Sequence, residues 1–208
     1  MSEFETEDQQ VEDLKKWWKE NGKAVIVGAV LGFSAIFGGR MYMNHLEGQR
    51  MKASIEYERM SMALQQQQPE EVFSRGDLIV TTYPDTAYAA LASLAMARLY
   101  VDKGDLAGAQ HRLQWVIDHE DQQDIVHVAR LRLARVLLAD AQLDQALKLL
   151  ANVDEETYTP VYQELLGDIY MAKQQPDQAR VAYAAALAAM DETDDREILQ
   201  MKIDDLGV

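Results

Sequence analysis

The stretch ELLGDIYMAKQQPDQARVAYAAA, residues 164–186, decides the fold of this chain. Two segments rich in Ala and Leu flank a short polar turn, and Pro176 follows the turn where a helix can start. Gly167 on the first segment and Ala179 on the second are small enough to let two helices touch. Tyr170 supplies the aromatic residue of the first segment. The stretch therefore predicts a closely packed helical hairpin.

The same arrangement of small residues recurs upstream in the chain. One match starts near Ala90, and another starts near His127 but lacks the aromatic residue. The anchoring alanines Ala109, Ala146 and Ala179 are spaced by 37 and then 33 residues, close to the tetratricopeptide (TPR) period of about 34. The pattern is that of TPR-like repeats, predicted at about residues 90–123, 127–159 and 160–193.

The sequence outside the three predicted repeats, both before and after them, also has a helical pattern. Apolar residues recur at spacings of three and four, and no strand-like alternation of useful length is present. Residues 46–68 and 70–82 predict two helices, which either form a degenerate first repeat, 53–84, or lie outside the repeats. Residues 194–206 are predicted to cap the open end of the stack. The predicted fold is all-α, a TPR-like helical-repeat solenoid.

An uncharged segment, AVIVGAVLGFSAIFGG at residues 24–39, precedes the repeats. With Arg40 reaching toward lipid headgroups, the apolar run extends to residue 43, and about 20 helical residues match the thickness of a bilayer core. Aromatic residues that favour the membrane interface flank it: Trp17, Trp18 and Tyr42. The sequence predicts a tail at 1–23, a single transmembrane helix at 24–43 and a TPR-like domain at 44–208.

Two other interpretations of the apolar segment are weaker. A cleaved signal peptide needs a short basic start and a small-residue cleavage site, whereas seven acids lie within residues 1–23. A buried core helix conflicts with the very polar flank. Four lysines precede the span, and Arg40, Arg50 and Lys52 follow it, so the positive-inside bias toward a cytoplasmic N-terminus and a periplasmic domain is slight.

Gly28 and Gly32 form a GxxxG pair within the predicted span, and Ala24 extends the same face. Such a face lets another membrane helix approach closely, so both glycines are candidate transmembrane packing residues. The alternative is that glycine is simply common in membrane helices.

Composition and motifs exclude several classes of function. A net charge of −15 would repel a phosphate backbone, so no nucleic-acid partner is expected. Cysteine is absent, and the acidic clusters at 154–156 and 191–195 lack the spacing and central glycine of a calcium loop. The histidines, expected on the surface, show no metal-binding spacing: His45, His111, His119 and His127. With no phosphate-binding glycine loop or nucleophile elbow, we expect no enzyme, no cofactor and no metal.

The arrangement as a whole resembles the YfgM family, ancillary subunits of the bacterial Sec translocon. The resemblance covers nearly the whole chain and is carried by LKKWWKENG (14–22), AVIVGAVLGFSAIFGGR (24–40), ELLGDIY (164–170) and QMKIDDL (200–206). It implies a bacterial inner-membrane location, association with SecYEG and the membrane-bound chaperone PpiD, and hand-over of newly exported client proteins. The alternative is a cell-envelope scaffold or regulatory adaptor whose cytoplasmic tail signals.

In TPR arrays the first helix of each repeat lines a concave groove. The predicted lining comprises Leu91, Leu94, Arg98, Val101, Val128, Leu131, Arg135, Leu138, Val161, Glu164, Asp168 and Met171. The strongest candidates for partner binding are Leu94, Arg98, Val101, Leu131, Arg135, Leu138 and Met171. An apolar strip with two arginines suits an apolar segment that carries a carboxylate. Alternatively, the helix at 46–68 or the C-terminal segment fills the groove, and these residues are core.

Overall fold

The computed structural model describes residues 4–151, 158–191 and 196–207, and in that part of the chain every regular element is a helix. The helices are α1 (Phe4–Gln65), α2 (Pro69–Thr82), α3 (Ala87–Asp102), α4 (Leu106–His119), α5 (Gln123–Ala139), α6 (Leu143–Leu150), α7 (Thr159–Ala172), α8 (Pro176–Ala189) and α9 (Glu197–Asp204). The predicted all-α fold is confirmed. The acidic clusters at 154–156 and 192–195 lie outside the described residues.

The chain divides into two compact units, residues 1–51 and 52–208. In the first unit, α1 contains a window with a mean hydropathy of 1.7, none of which is buried. Large apolar side chains such as Leu31 and Phe37 are 64% and 67% exposed. A core helix of a water-soluble protein would bury these side chains, so their exposure argues against that interpretation. By length and composition, this helix can cross a membrane.

In the second unit, successive helices pack as hairpins, and small residues sit where they meet. Ala109, Ala146 and Ala179 are each fully buried, as their role in anchoring the second helix of a hairpin requires. A Cβ atom on Gly167 would lie 2.2 Å from the Tyr183 ring, so α7 and α8 approach as closely as they do only because residue 167 has no side chain.

The same turn geometry occurs at four connections between described helices: α1–α2, α3–α4, α5–α6 and α7–α8. The residue with positive φ is Gln67, Gly104, Ala141 or Gln174. The next amide donates to the carbonyl five residues earlier: Gln68 to Ala63 (2.9 Å), Asp105 to Tyr100 (2.8 Å), Gln142 to Leu137 (2.8 Å) and Gln175 to Tyr170 (2.9 Å). This is the hydrogen bond of a Schellman motif. The turn from α1 to α2 thus has the same geometry as the turns within the three predicted repeats, and the degenerate first repeat at 53–84 stays a prediction.

The core of the second unit forms three neighbouring clusters. The first joins the end of α1 to α2 and α3 through Met60, Ile79 and Met96, all almost fully buried. The second and largest runs through α3 to α7. The third joins α8 to α9, where Leu199 is 4% exposed. α9 thus packs onto α8, and its role as a cap at the end of the stack stays a prediction.

Candidate binding groove

The predicted groove residues differ in how far they are exposed. Leu94 and Leu131 are buried, Leu138 is half-buried, and Val101 and Met171 are 38% and 42% exposed. Arg98 and Arg135 both extend into solvent. The candidates are therefore of three kinds: buried leucines, partly exposed apolar side chains and two exposed arginines.

A pocket of about 350 Å³ lies between α3, α4 and α5. It is lined by Leu94, Ala97, Arg98, Val101, Leu113, Arg132, Arg135 and Val136. The structure thus brings together four of the seven strongest candidates, with Leu113 of α4 beneath them. We call the eight lining residues of this pocket, from Leu94 to Val136, the arginine pocket. Leu131, Leu138 and Met171 are not among them.

The arginine pocket is cationic within an acidic protein. Arg98 forms an ion pair with Asp102 of its own helix, with N–O distances of 2.9 and 3.1 Å. Arg132 and Arg135 form no ion pair with any described residue. Two guanidinium groups are therefore available to an incoming carboxylate, and each can donate two parallel hydrogen bonds.

Arg132 was missed by sequence reasoning. The repeat register assigns groove positions to Arg135 but not to Arg132, and no motif singles it out. A sequence signal was available: α5 contains arginines at 130, 132 and 135 and has a single acid, Asp124, in its first turn. Unbalanced charge on one helix in a chain of net charge −15 could have identified it.

At the other end of the predicted groove, the chain's own C-terminal helix covers the acids. Lys202 of α9 donates hydrogen bonds of 2.8 Å to Glu164 and to Asp168, both on α7. Tyr183 of α8 also donates to Asp168, at 2.8 Å. Glu164 and Asp168 were predicted to line the groove, with the alternative that the C-terminal segment lies on it; at these two residues α9 supplies the cation, as that alternative expects.

The protonation equilibria of this cluster reflect the same contacts. Partial burial lowers the pKa of Lys202, but hydrogen bonds to Asp168 and Glu164 outweigh this effect and raise the pKa above its usual value. Burial, followed by the hydrogen bond to Asp168 and the charges of both carboxylates, raises the pKa of Tyr183 well above its usual value. The cluster is thus a protonated lysine and a neutral tyrosine holding two acids.

The histidines do not form a metal site in the described part of the chain, where no group of three or more candidate ligands occurs. His45, His111 and His119 are exposed, as expected. His127 is an exception, and its predicted surface position is wrong: it is 3% exposed. Its Nδ1 lies 3.0 Å from the Tyr162 hydroxyl, and its ring stacks on Tyr158 at 4.3 Å, so it packs α5 against α7.

In the first unit, Gly28 and Gly32 are open positions. A Cβ atom added at either glycine meets no atom within 4 Å. The face is therefore accessible to another helix, which is necessary for close packing but does not demonstrate it.

Comparison with known proteins places the chain among curated relatives over almost its full length. A family model described as a tetratricopeptide repeat-like domain matches residues 15–208. A protein of Escherichia coli (strain K12) named "Ancillary SecYEG translocon subunit" is 32% identical over 208 residues, 100% of both chains. A protein of the same name from Haemophilus influenzae is 30% identical over 200 residues, 96% of this chain and 97% of the relative. One from Aggregatibacter actinomycetemcomitans is 32% identical over 180 residues, 86% and 88% of the two chains. No solved structure matches this chain.

The helices and the family model define the class: a TPR-like helical-repeat protein with an N-terminal helix long and apolar enough to cross a membrane. Within that class, the chain belongs to the family of ancillary SecYEG translocon subunits (YfgM), whose domain is tetratricopeptide repeat-like. The family predicted from the tail, the span and the repeat motifs is confirmed.

Proposed function

We propose that this protein is a membrane-tethered interaction module that acts as an ancillary subunit of the Sec translocon and supports the hand-over of exported proteins to periplasmic chaperones. The observation that carries the proposal is the arginine pocket, an apolar depression with unneutralised guanidinium groups on an otherwise acidic protein. The relatives' name supports SecYEG as the assembly concerned. Binding without catalysis is sufficient for this role.

In the proposed complex, a partner or client segment lies along the groove with its apolar side chains on Leu94 and Leu131. A carboxylate of that segment binds Arg135 and Arg132, and it competes with Asp102 for Arg98. Val101, Leu138 and Met171 extend the apolar surface beyond the pocket. We propose the membrane-bound chaperone PpiD and exported client proteins as the ligands, on the strength of the family resemblance.

The proposal also assigns a topology. Residues 1–23 lie in the cytoplasm, residues 24–43 span the inner membrane of a bacterium, and residues 44–208 lie in the periplasm. The four lysines before the span support this orientation, and a domain that receives exported chains requires it. In the membrane, Gly28 and Gly32 would pack against a helix of the translocon or of PpiD.

Site-specific photocrosslinking in living cells tests the proposal. A photoreactive amino acid at Val101, inside the pocket, should crosslink to PpiD or to a newly exported protein. The matched control is Val181 on α8, a valine that is 72% exposed and does not line the pocket, and it should not give that product. A third position, Phe37, should crosslink to SecYEG within the membrane. Contact only with an unrelated envelope complex would contradict the translocon role and support the scaffold or adaptor alternative.

A further inference from the structure

A second and larger cleft lies between α4, α5 and α6. Its volume is about 870 Å³. It is lined by Ala107, Gln110, His111, Gln114, Ile117, Arg130, Leu133, Leu137, Gln145, Lys148 and Leu149. The α5 residues here, at 130, 133 and 137, lie on a different face of the helix from those at 132, 135 and 136 in the arginine pocket. The two sites are therefore separate surfaces of one helix.

The cleft has an apolar floor and a cationic, amide-rich edge. Leu133 and Leu137 are 4% and 5% exposed and form the floor. Arg130, Lys148 and His111 supply positive or protonatable groups, and none of the lining residues is an acid. In a chain of net charge −15, a cleft with that lining is complementary to a negatively charged ligand.

The acids on the lining helices are already bound to other groups. Asp118 accepts a hydrogen bond from Gln114, and Asp144 pairs with Lys173 of α7. The acids at 105, 124 and 140 accept hydrogen bonds from Gly108, Tyr158 and Gln110 respectively. By contrast, Arg130 and Lys148 form no ion pair within the described residues. Each of these carboxylates has a hydrogen-bond or ion-pair partner within the chain, whereas the two cations have no carboxylate partner among the described residues.

We propose that this cleft binds a short amphipathic helix of a partner protein, with an apolar face bordered by carboxylates. The apolar face would cover Leu133, Leu137 and Leu149, while the carboxylates would bind Arg130 and Lys148. The glutamines at 110, 114 and 145 can donate or accept hydrogen bonds at the edge. This cleft is a different site from the arginine pocket. Because both sites use α5, one protein could hold two partners at once.

The test uses the full chain in detergent micelles and a synthetic 18-residue peptide, designed as a helix with leucine on one face and glutamate along both borders. Fluorescence anisotropy of the labelled peptide should show saturable binding. Arg130→Glu with Lys148→Glu should weaken it about tenfold or more, since opposite charges become like charges. Arg130→Lys with Lys148→Arg should retain binding, which separates loss of charge from loss of fold. Arg98→Glu with Arg135→Glu removes any binding of the peptide to the arginine pocket; binding that persists in this variant and is lost when Arg130→Glu and Lys148→Glu are added belongs to the cleft, so the two sites are tested separately.

The peptide's location can be read directly because the chain has no cysteine. A peptide whose one terminal cysteine is activated as a mixed disulfide with thionitrobenzoate should exchange with Gln114→Cys in the cleft, releasing thionitrobenzoate, and not with Arg59→Cys on the exposed surface. Equal binding of a peptide with lysine in place of glutamate would overturn the proposal. So would unchanged affinity in the Glu variant. Self-association that the Glu variant abolishes, measured by sedimentation velocity, would also overturn it and assign the cleft to a second copy of this chain.

Discussion

The two ends of the predicted groove carry opposite charges and are used differently. At the arginine pocket, Arg132 and Arg135 are left without a carboxylate. At the α7 end, Glu164 and Asp168 are held by Lys202 from α9. This difference shows that a residue's position in a repeat does not by itself make it a binding residue. A charged groove position is most available to a partner where the chain supplies no counter-charge, as at Arg132 and Arg135.

The largest loss of stability should come from disrupting the close contact between α7 and α8. Gly167→Leu would force a side chain into the Tyr183 ring, which lies 2.2 Å from the position of a Cβ atom. We expect a loss of about 3 kcal/mol in the free energy of unfolding of α7–α9. Native-state hydrogen exchange of these helices measures it. The control is Gly48→Leu, where a Cβ meets nothing within 4 Å, and protection that matches this control would show that the close approach is unimportant.

Reversing the charge that holds the acids should have a smaller effect. Lys202→Glu would place three carboxylates together in a partly exposed cluster. Because solvent screens the cluster, we expect a loss of about 1–2 kcal/mol, seen as faster hydrogen exchange in α9. Lys52→Glu, at an exposed lysine with no ion pair among the described residues, should change exchange by less than about 0.5 kcal/mol. Equal effects of the two substitutions would refute the role of Lys202 in closing the groove.

The cluster of Lys202, Tyr183, Glu164 and Asp168 should make the stability of α7–α9 sensitive to alkaline pH. Tyr183 and Lys202 both have pKa values raised in the folded protein. A raised pKa gives stability that is present below the unfolded-state pKa and is lost as the pH rises through the folded-state pKa. The α7–α9 region should therefore become less stable as the pH rises above about 10, where unfolded tyrosine and lysine lose their protons. Tyr183→Phe with Lys202→Met should flatten this pH dependence, measured by urea unfolding at neutral and alkaline pH. If the stability of this variant fell with pH as steeply as that of wild type, groups other than Tyr183 and Lys202 would cause the pH dependence.

The fold could be predicted because close helix packing needs small residues at fixed places. Ala109, Ala146 and Ala179 show that requirement in the sequence itself. The turns at Gln67, Ala141 and Gln174 have the same geometry as the turn at Gly104 but no glycine, so the turn residue alone gave little local signal. The later hairpins were predicted from their small residues, and the first hairpin, which gave no such match, stayed uncertain.

The site was harder to predict because its determinants are long-range. Lys202 lies 34 and 38 residues from the acids that it binds, and no local pattern connects them. His127 and Tyr162 are 35 residues apart, so the partner that lets a histidine be buried was equally invisible. Sequence identified which residues could line a groove. Only the structure, through the packing of α9 and the distribution of ion pairs, showed which part of the predicted groove is open to a partner.

The most direct test of the open end is the double substitution Arg98→Glu with Arg135→Glu, followed for both stability and binding. Both side chains are exposed and pack no core, so the melting temperature should stay close to that of wild type. Recovery of PpiD and of exported clients with the affinity-tagged protein should be lost, because the pocket would repel the carboxylate that it is proposed to bind. Arg59→Glu with Arg180→Glu, exposed arginines outside the pocket, should leave that recovery intact. A collapse in melting temperature, or full recovery of partners at wild-type stability, would contradict the account.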